Sequence, residues 1–274
     1  MINSQQGNDL IKEKIENNEI FAVSRIGGGV SLCCFFQDKF NQIPPQAEHM
    51  CRYNDGFYGD NIKEFTQEYI DGIKAADIQI EWKLEFLKEA QNYLFDKFSP
   101  DSVRSENRAV EPFYFDNPWS ASLKGKKVLV VHPFKESIEY QYHNNREKIF
   151  ENKDVLPEFD IKVVKAYQSL GNSQPHGSWF ETFEILKSEI RDNDFDIALL
   201  GCGSYGLPLV SFIKNEMNRS AIYIGGGLQI LFGIKGQRWD THDVISKLYN
   251  ENWIRPKETE KFNEYKNIEG GCYW

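Results

Sequence analysis

The sequence predicts an α/β protein of Rossmann-like type, with a mostly parallel sheet and helices on both faces. Three observations predict it. KKVLVVHPF (126–134), DFDIALLGCG (194–203) and SAIYIGGG (220–227) are strand-length apolar runs without polar alternation, as expected of strands buried on both faces. Helical patterns of 10–15 residues separate such runs, which implies crossovers between parallel strands. Each run also ends in glycine or a polar side chain, and ligands of open parallel sheets bind at the carboxyl ends of the strands.

The elements follow in order. Residues 8–19 read as a short charged helix. EIFAVSRIGGGVSLCCFF (19–36) gives a strand over about 20–24, a glycine turn at 27–29 and an apolar segment. Asn61 and Glu64 have the spacing of a capping box, and Phe65, Tyr69 and Ile73 fall at helical spacing. ADIQIEW (76–82) closes that unit as a strand, and WKLEFLKEAQNYLFDKF (82–98) is a helix stopped by Ser99-Pro100. Residues 104–123 read as irregular. From 126 the pattern is cleaner: strand, helix (137–150), strand DIKVVKAYQS (160–169), then helix (178–193) with a stripe of Phe180, Phe183, Ile185, Leu186 and Ile190. The strand at 194–203, a helix at 207–218, the strand at 220–227 and helical turns from Leu228 complete it. One domain is expected over 1–274: an N-terminal half (1–125) adding strands or a lid, a clean parallel half (126–240), and a tail (241–274) that packs back.

Composition excludes several classes. The 274 residues are 41% hydrophobic and 27% charged, a globular balance. The net charge is −9, with 32 basic against 41 acidic residues and no basic run. A nucleic-acid partner is therefore not expected, because such proteins neutralise phosphates with Lys and Arg. Five cysteines without a CxxC pair point to reduced thiols and a cytoplasmic setting rather than disulfides or zinc. The polar N-terminus shows no apolar signal segment, and no run reaches the length of a membrane span. Aromatics at 14% suit a core, and equally flat polar ligands such as sugars and bases.

At the strand ends the candidates gather. The first strand delivers Arg25 with Gly27, Gly28 and Gly29, where a guanidinium could clamp a diphosphate. The later strands deliver His132, then Gln168, then Gly201, Gly203, Ser204 and Tyr205, then Gly226 with Gln229 just beyond. GCGSYG (201–206) sits between strand and helix, where glycine allows close backbone approach to an anion. Its third glycine comes one position early for GxGxxG, and no Lys-Ser/Thr follows as in a P-loop. Such a turn either packs tightly or holds a ligand, and the second glycine cluster at 225–227 favours the ligand. His132 is a candidate base, against a hydrogen-bonded strand-end role; Glu136, Glu139 and Glu111 are further candidates that the sequence does not discriminate, and Glu136 is taken with His132. Lys235 and Arg238 are further candidate cations, against a solvated turn. Cys202 lacks a helper and reads as a buried small residue.

The stretches AVSRIGGGV (22–30), YNDGFYGDNIKEFTQEYIDGIKAADIQIEW (53–82), KKVLVVHPF (126–134) and 194–240 together resemble GT-D-type glycosyltransferase domains of bacterial surface-polysaccharide and glycoprotein assembly. The resemblance covers most of the chain and is one of pattern and order. It implies a nucleotide-sugar donor, a glycan acceptor and sugar transfer. It also implies a divalent metal held by an Arg-aromatic-Gly-Asp-Gly-Glu motif. Aligned on Arg25 and Gly27, the Asp position is Gly28 and the Glu position is Val30, so the expected oxygen ligands are missing. Three readings stay open: no metal, with Arg25, Lys235 or Arg238 neutralising the diphosphate; ligands from elsewhere; or a catalytically silent assembly partner. A dinucleotide oxidoreductase ranks behind these, because the end of the second strand reads AYQS (166–169) without the expected acid.

Overall fold

The computed structural model describes residues 1–262, 265–268 and 270–274. The fold is Rossmann-like α/β. Seven parallel strands form one sheet in the order β3-β2-β1-β7-β6-β4-β5. They are β1 (Ala22–Arg25), β2 (Ile78–Glu81), β3 (Val103–Glu106), β4 (Lys127–His132), β5 (Asp160–Lys165), β6 (Ile197–Leu200) and β7 (Ser220–Tyr223). From β1 the chain moves to β2 and β3 on one side. From β4 it moves to β5 at the opposite edge, and β6 and β7 then fill the gap between β4 and β1. The reversal leaves a crevice at the carboxyl ends of the middle strands.

The unalternated runs are two-faced, as their composition requires. Val128, Val130, Ile197, Leu199 and Ile222 point into one core, and Leu129, Val131, Ala198, Leu200 and Ala221 into the other. Each fully buried aliphatic side chain contributes about 1.5–3 kcal/mol. The second core is covered by helices α2 (Gly28–Phe40), α3 (Pro45–Met50), α4 (Ile62–Ala75), α5 (Glu85–Phe98), α7 (Trp179–Arg191) and α8 (Gly206–Asn215). The first is covered by α1 (Ser4–Glu16), the segment 107–123, α6 (Lys135–Ile149), the single turn α9 (Leu228–Leu231) and the tail.

Several expectations need correction. The first helix is Ser4–Glu16, begun by a capping box of Asn3 and Gln6, because that pair closes both orphan N–H groups. Asn61 precedes α4 in the left-handed region (φ 67°) and makes no side-chain cap. On α7 the buried stripe runs through Trp179, Thr182, Phe183, Leu186 and Ile190, leaving Phe180 and Ile185 only partly buried. The stretch read as irregular begins with β3, a strand too short and polar to show period-two alternation. The N-terminal half supplies three strands of the same sheet. The tail packs back, with Trp253 and Trp274 buried against the first core. Its Glu260 carboxylate accepts the N–H groups of Glu136 (2.7 Å) and Ser137 (3.2 Å), fastening the tail to the start of α6. No helix among the described residues is long and apolar enough to cross a membrane.

Candidate functional site

A cleft of about 440 Å³ opens at the carboxyl ends of β1, β7, β6 and β4. That is within the usual range for small-molecule sites. Eleven of the sequence candidates line it: Arg25, Gly27, Gly28, His132, Gln168, Gly201, Gly203, Ser204, Gly226, Gln229 and Arg238. They come from both halves of the chain, because β1 and β7 are neighbours in the sheet.

Four candidates do not line it. Gly29 is buried inside the start of α2, where a Cβ would lie 2.7 Å from the Met50 carbonyl carbon, so its role is close packing. Tyr205 is fully buried and stacks on Trp179 (centroids 5.2 Å, 11° between planes), which makes it core. Lys235 lies beside the Tyr249 ring, 5.1 Å from its centroid, away from the cleft. Glu136 is exposed, receives the Thr259 hydroxyl at 3.2 Å and stands 3.6 Å from Lys257, so its carboxylate serves the tail rather than the cleft.

The two glycine turns are similarly wired. Residues 203–205 form one helical turn and 225–227 another. The first N–H groups of such a turn have no partner within it. The carbonyls here face protein donors: Tyr223 donates to Gly203 O (2.8 Å), Tyr69 to Ser204 O (2.6 Å), and Arg25 Nη1 to Ile224 O. Burial raises the pKa of both tyrosines, so they stay donors. In a trans peptide the N–H opposes the preceding carbonyl, so Ser204 N–H and Gly225 N–H point the other way. Glycine is required at two of these positions. Gly203 (φ 59°) and Gly225 (φ 73°) lie in the left-handed region, and a Cβ on Gly225 would meet Arg25 Nη1 at 2.8 Å. Ser204 Oγ accepts the Trp179 indole N–H at 2.8 Å, so it locks the turn.

The charged groups are few and placed. Arg25 lies over the Trp82 ring, 4.5 Å from its centroid. Arg238 lies 4.8 Å from the Tyr273 centroid and donates to the Tyr273 hydroxyl at 3.3 Å. Glu111 lines the cleft near Gly227, its pKa raised by burial and held back by Arg25 and Arg108. His132 is buried, and burial pushes its pKa down to about 3. Its Nδ1 accepts the Phe134 N–H at 3.0 Å, which assigns the proton to Nε2. At neutral pH the ring is therefore neutral, with its proton on Nε2. Gln229 Nε2 donates to Ile234 O and Tyr273 O, and its buried Oε1 has no partner. Cys202 is buried with its pKa raised by desolvation, an inert thiol.

Sequence reasoning missed several cleft residues. Asp55 and Asn54 arrive from a π-turn (Cys51–Asp55), Tyr223 from the end of β7 and Tyr273 from the tail. Asp55-Gly56 ends Arg52-Tyr53-Asn54-Asp55-Gly56, whose Arg-aromatic-x-Asp-Gly spacing is the signal that could have found it, and the fold carries it to the Val30 N–H after β1. The metal motif fails on chemistry: Gly28 has no side chain and Val30 is buried and aliphatic. Among the described residues no three His, Cys, Asp or Glu side chains converge to hold an ion. No protein-family model, no curated protein and no solved structure matches the chain.

Proposed function

We propose that the cleft binds a nucleotide-sugar and that the protein transfers its sugar to a growing glycan. One observation carries this reading: two glycine turns that follow neighbouring strands line one cleft of suitable volume together with Arg25. That combination neutralises a diphosphate without a metal. Trp82, Trp239 and Tyr273 supply flat walls for a base or sugar. The stretches that resemble GT-D-type domains include β1, β4, β6 and β7, the strands that frame the cleft.

In this reading the leaving diphosphate is stabilised by Arg25, Arg238, the turn N–H groups and the His132 Nε2–H. The acceptor hydroxyl gives its proton to Glu111, a carboxylate of the cleft near Arg25, in place of Glu136. A silent binding partner is the second reading, favoured by Gly28 and Val30 where the resemblance calls for acids.

Thermal denaturation tests the reading. A ligand at a hundredfold excess over its Kd stabilises the native state by about 2.7 kcal/mol. For a chain of this size that raises the midpoint by about 5–10 °C. One base class among uridine, guanosine, thymidine and cytidine diphosphate-sugars gives this shift, and free sugars give little. Arg25→Ala shrinks it, because a charge-assisted contact contributes about 1.5–3 kcal/mol. No shift from any nucleotide at millimolar concentration would overturn the reading.

A further inference from the structure

Three residues that line the cleft carry a buried side-chain polar atom without a hydrogen-bond partner: Arg25 Nε, Trp82 Nε1 and Gln229 Oε1. Folded proteins pair nearly all such atoms, so each unpaired one calls for an explanation. The first two are donors and belong to one place, since the Arg25 guanidinium lies over the Trp82 ring. Both residues are otherwise fastened. Arg25 Nη1 donates to Ile224 O, and the main chain of Trp82 exchanges bonds with the Gln91 amide at 3.0 and 3.3 Å.

Gln229 is the acceptor, and its amide can stand only one way round. It belongs to the single turn α9 after the second glycine cluster and is fully buried. Its Nε2 donates to Ile234 O (3.2 Å) and to Tyr273 O (3.1 Å), which uses both amide hydrogens. Turned over, the amide would set its oxygen against two carbonyl oxygens. Its main-chain oxygen accepts the N–H groups of Phe232 (3.2 Å) and Ile234 (3.0 Å), so backbone and side chain close on the same loop. Oε1 is thereby fixed in place, uncharged and able only to accept. Trp239 and Tyr273, the flat walls of the cleft, come from the same part of the chain as the carbonyls that hold it.

We propose that Gln229 is the specificity-determining residue of the cleft, its side-chain oxygen accepting a hydrogen bond from a hydroxyl or N–H group of the bound nucleotide-sugar. This role rests on the nucleotide reading and names the kind of group that the site inspects. The cleft then has two sides: oxygen atoms of the ligand meet the Arg25 and Trp82 donors, and a donor group of the ligand meets Gln229. A ligand that brings a fluorine, an ether oxygen or a methyl group to Gln229 leaves Oε1 buried and unpaired. A site built round such a bond rejects an analogue that lacks the donor far more strongly than a merely apolar pocket rejects a change of size.

Calorimetric titration of UDP-glucose, GDP-mannose, dTDP-glucose and CDP-glucose into the full chain identifies the tightest binder. Its analogues then remove one donor at a time, with fluorine for each sugar or ribose hydroxyl and methyl for the hydrogens of each base N–H or amino group. In the wild type one analogue binds about tenfold or more weakly than its parent. A sensitive fluorine analogue assigns the donor to a sugar or ribose hydroxyl, and a sensitive methyl analogue assigns it to the base. In Gln229→Met, of similar length and without an acceptor oxygen, that analogue and its parent bind within about twofold of each other. A Gln229 that only braces the loop would weaken parent and analogue alike and keep the gap between them. A crystal structure of the wild type with the same parent compound reads the claim without any variant, and places a ligand donor within about 3.2 Å of Oε1. A gap that survives in Gln229→Met, no analogue weaker than its parent, or a complex with no ligand donor at Oε1 overturns the Gln229 inference alone. Failure of all four diphosphate-sugars to bind overturns it together with the nucleotide reading.

Discussion

Gly203 shows what a single residue contributes. Its φ of 59° is costly for side chains, yet the space around its Cβ position is open, with the nearest atoms 3.9 Å away. Gly203→Val therefore acts through backbone strain of about 1–3 kcal/mol and through a side chain added beside the Ser204 N–H. It lowers nucleotide affinity more than it lowers the melting midpoint. Cys202→Ala, one residue away, leaves nucleotide binding nearly unchanged, because its thiol is buried and protonated. Calorimetric titration of both variants checks the pair, and loss of binding in Cys202→Ala with the fold intact would contradict the account. The cleft residues that the sequence disclosed include Arg25 and His132, which end their strands, and Gln229, one turn beyond β7, so a rule about strand ends finds them. Tyr223 ends β7 and the same rule would have found it, whereas Asp55 and Tyr273 follow no strand. Glu136 was misplaced because a tail residue 124 positions away, Glu260, claims the start of α6.

At the scale of elements, the pairing of α4 with α8 positions the β6 loop. Gly72 makes that close approach possible: a Cβ there would stand 2.6 Å from the Leu207 carbonyl oxygen, which belongs to backbone. Gly72→Ala gains about 1 kcal/mol of helix propensity. Overpacking against rigid backbone costs about 1–3 kcal/mol, so the net effect is destabilising. The midpoint falls by up to several degrees at about 2–4 °C per kcal/mol. A scanning calorimeter reads this directly, and a midpoint at or above that of wild type would contradict the packing described. The two-faced strands β4, β6 and β7 were legible because their apolar runs have no other stable home. The polar edge strand β3 was not, since its pairing with β2 and with Ile2 lies outside any local pattern.

At the scale of the whole molecule, we propose that one edge of the seven-stranded parallel sheet holds a diphosphate. The order β1-β7-β6-β4 brings residues from both halves of the chain to that edge, and Tyr273 of the tail joins the lining. The fold class was readable from composition and periodicity, whereas this meeting of β1 with β7 is a property of topology alone. The most direct measurement is a crystal structure of the protein with the nucleoside diphosphate-sugar that most raises its melting midpoint. The account predicts the diphosphate within hydrogen-bond distance of the Ser204 and Gly225 N–H groups and the Arg25 guanidinium, with the base or sugar against Trp82, Trp239 or Tyr273. A nucleotide bound at the opposite end of the sheet, or in the cleft with its phosphates turned away from both glycine turns, would contradict it.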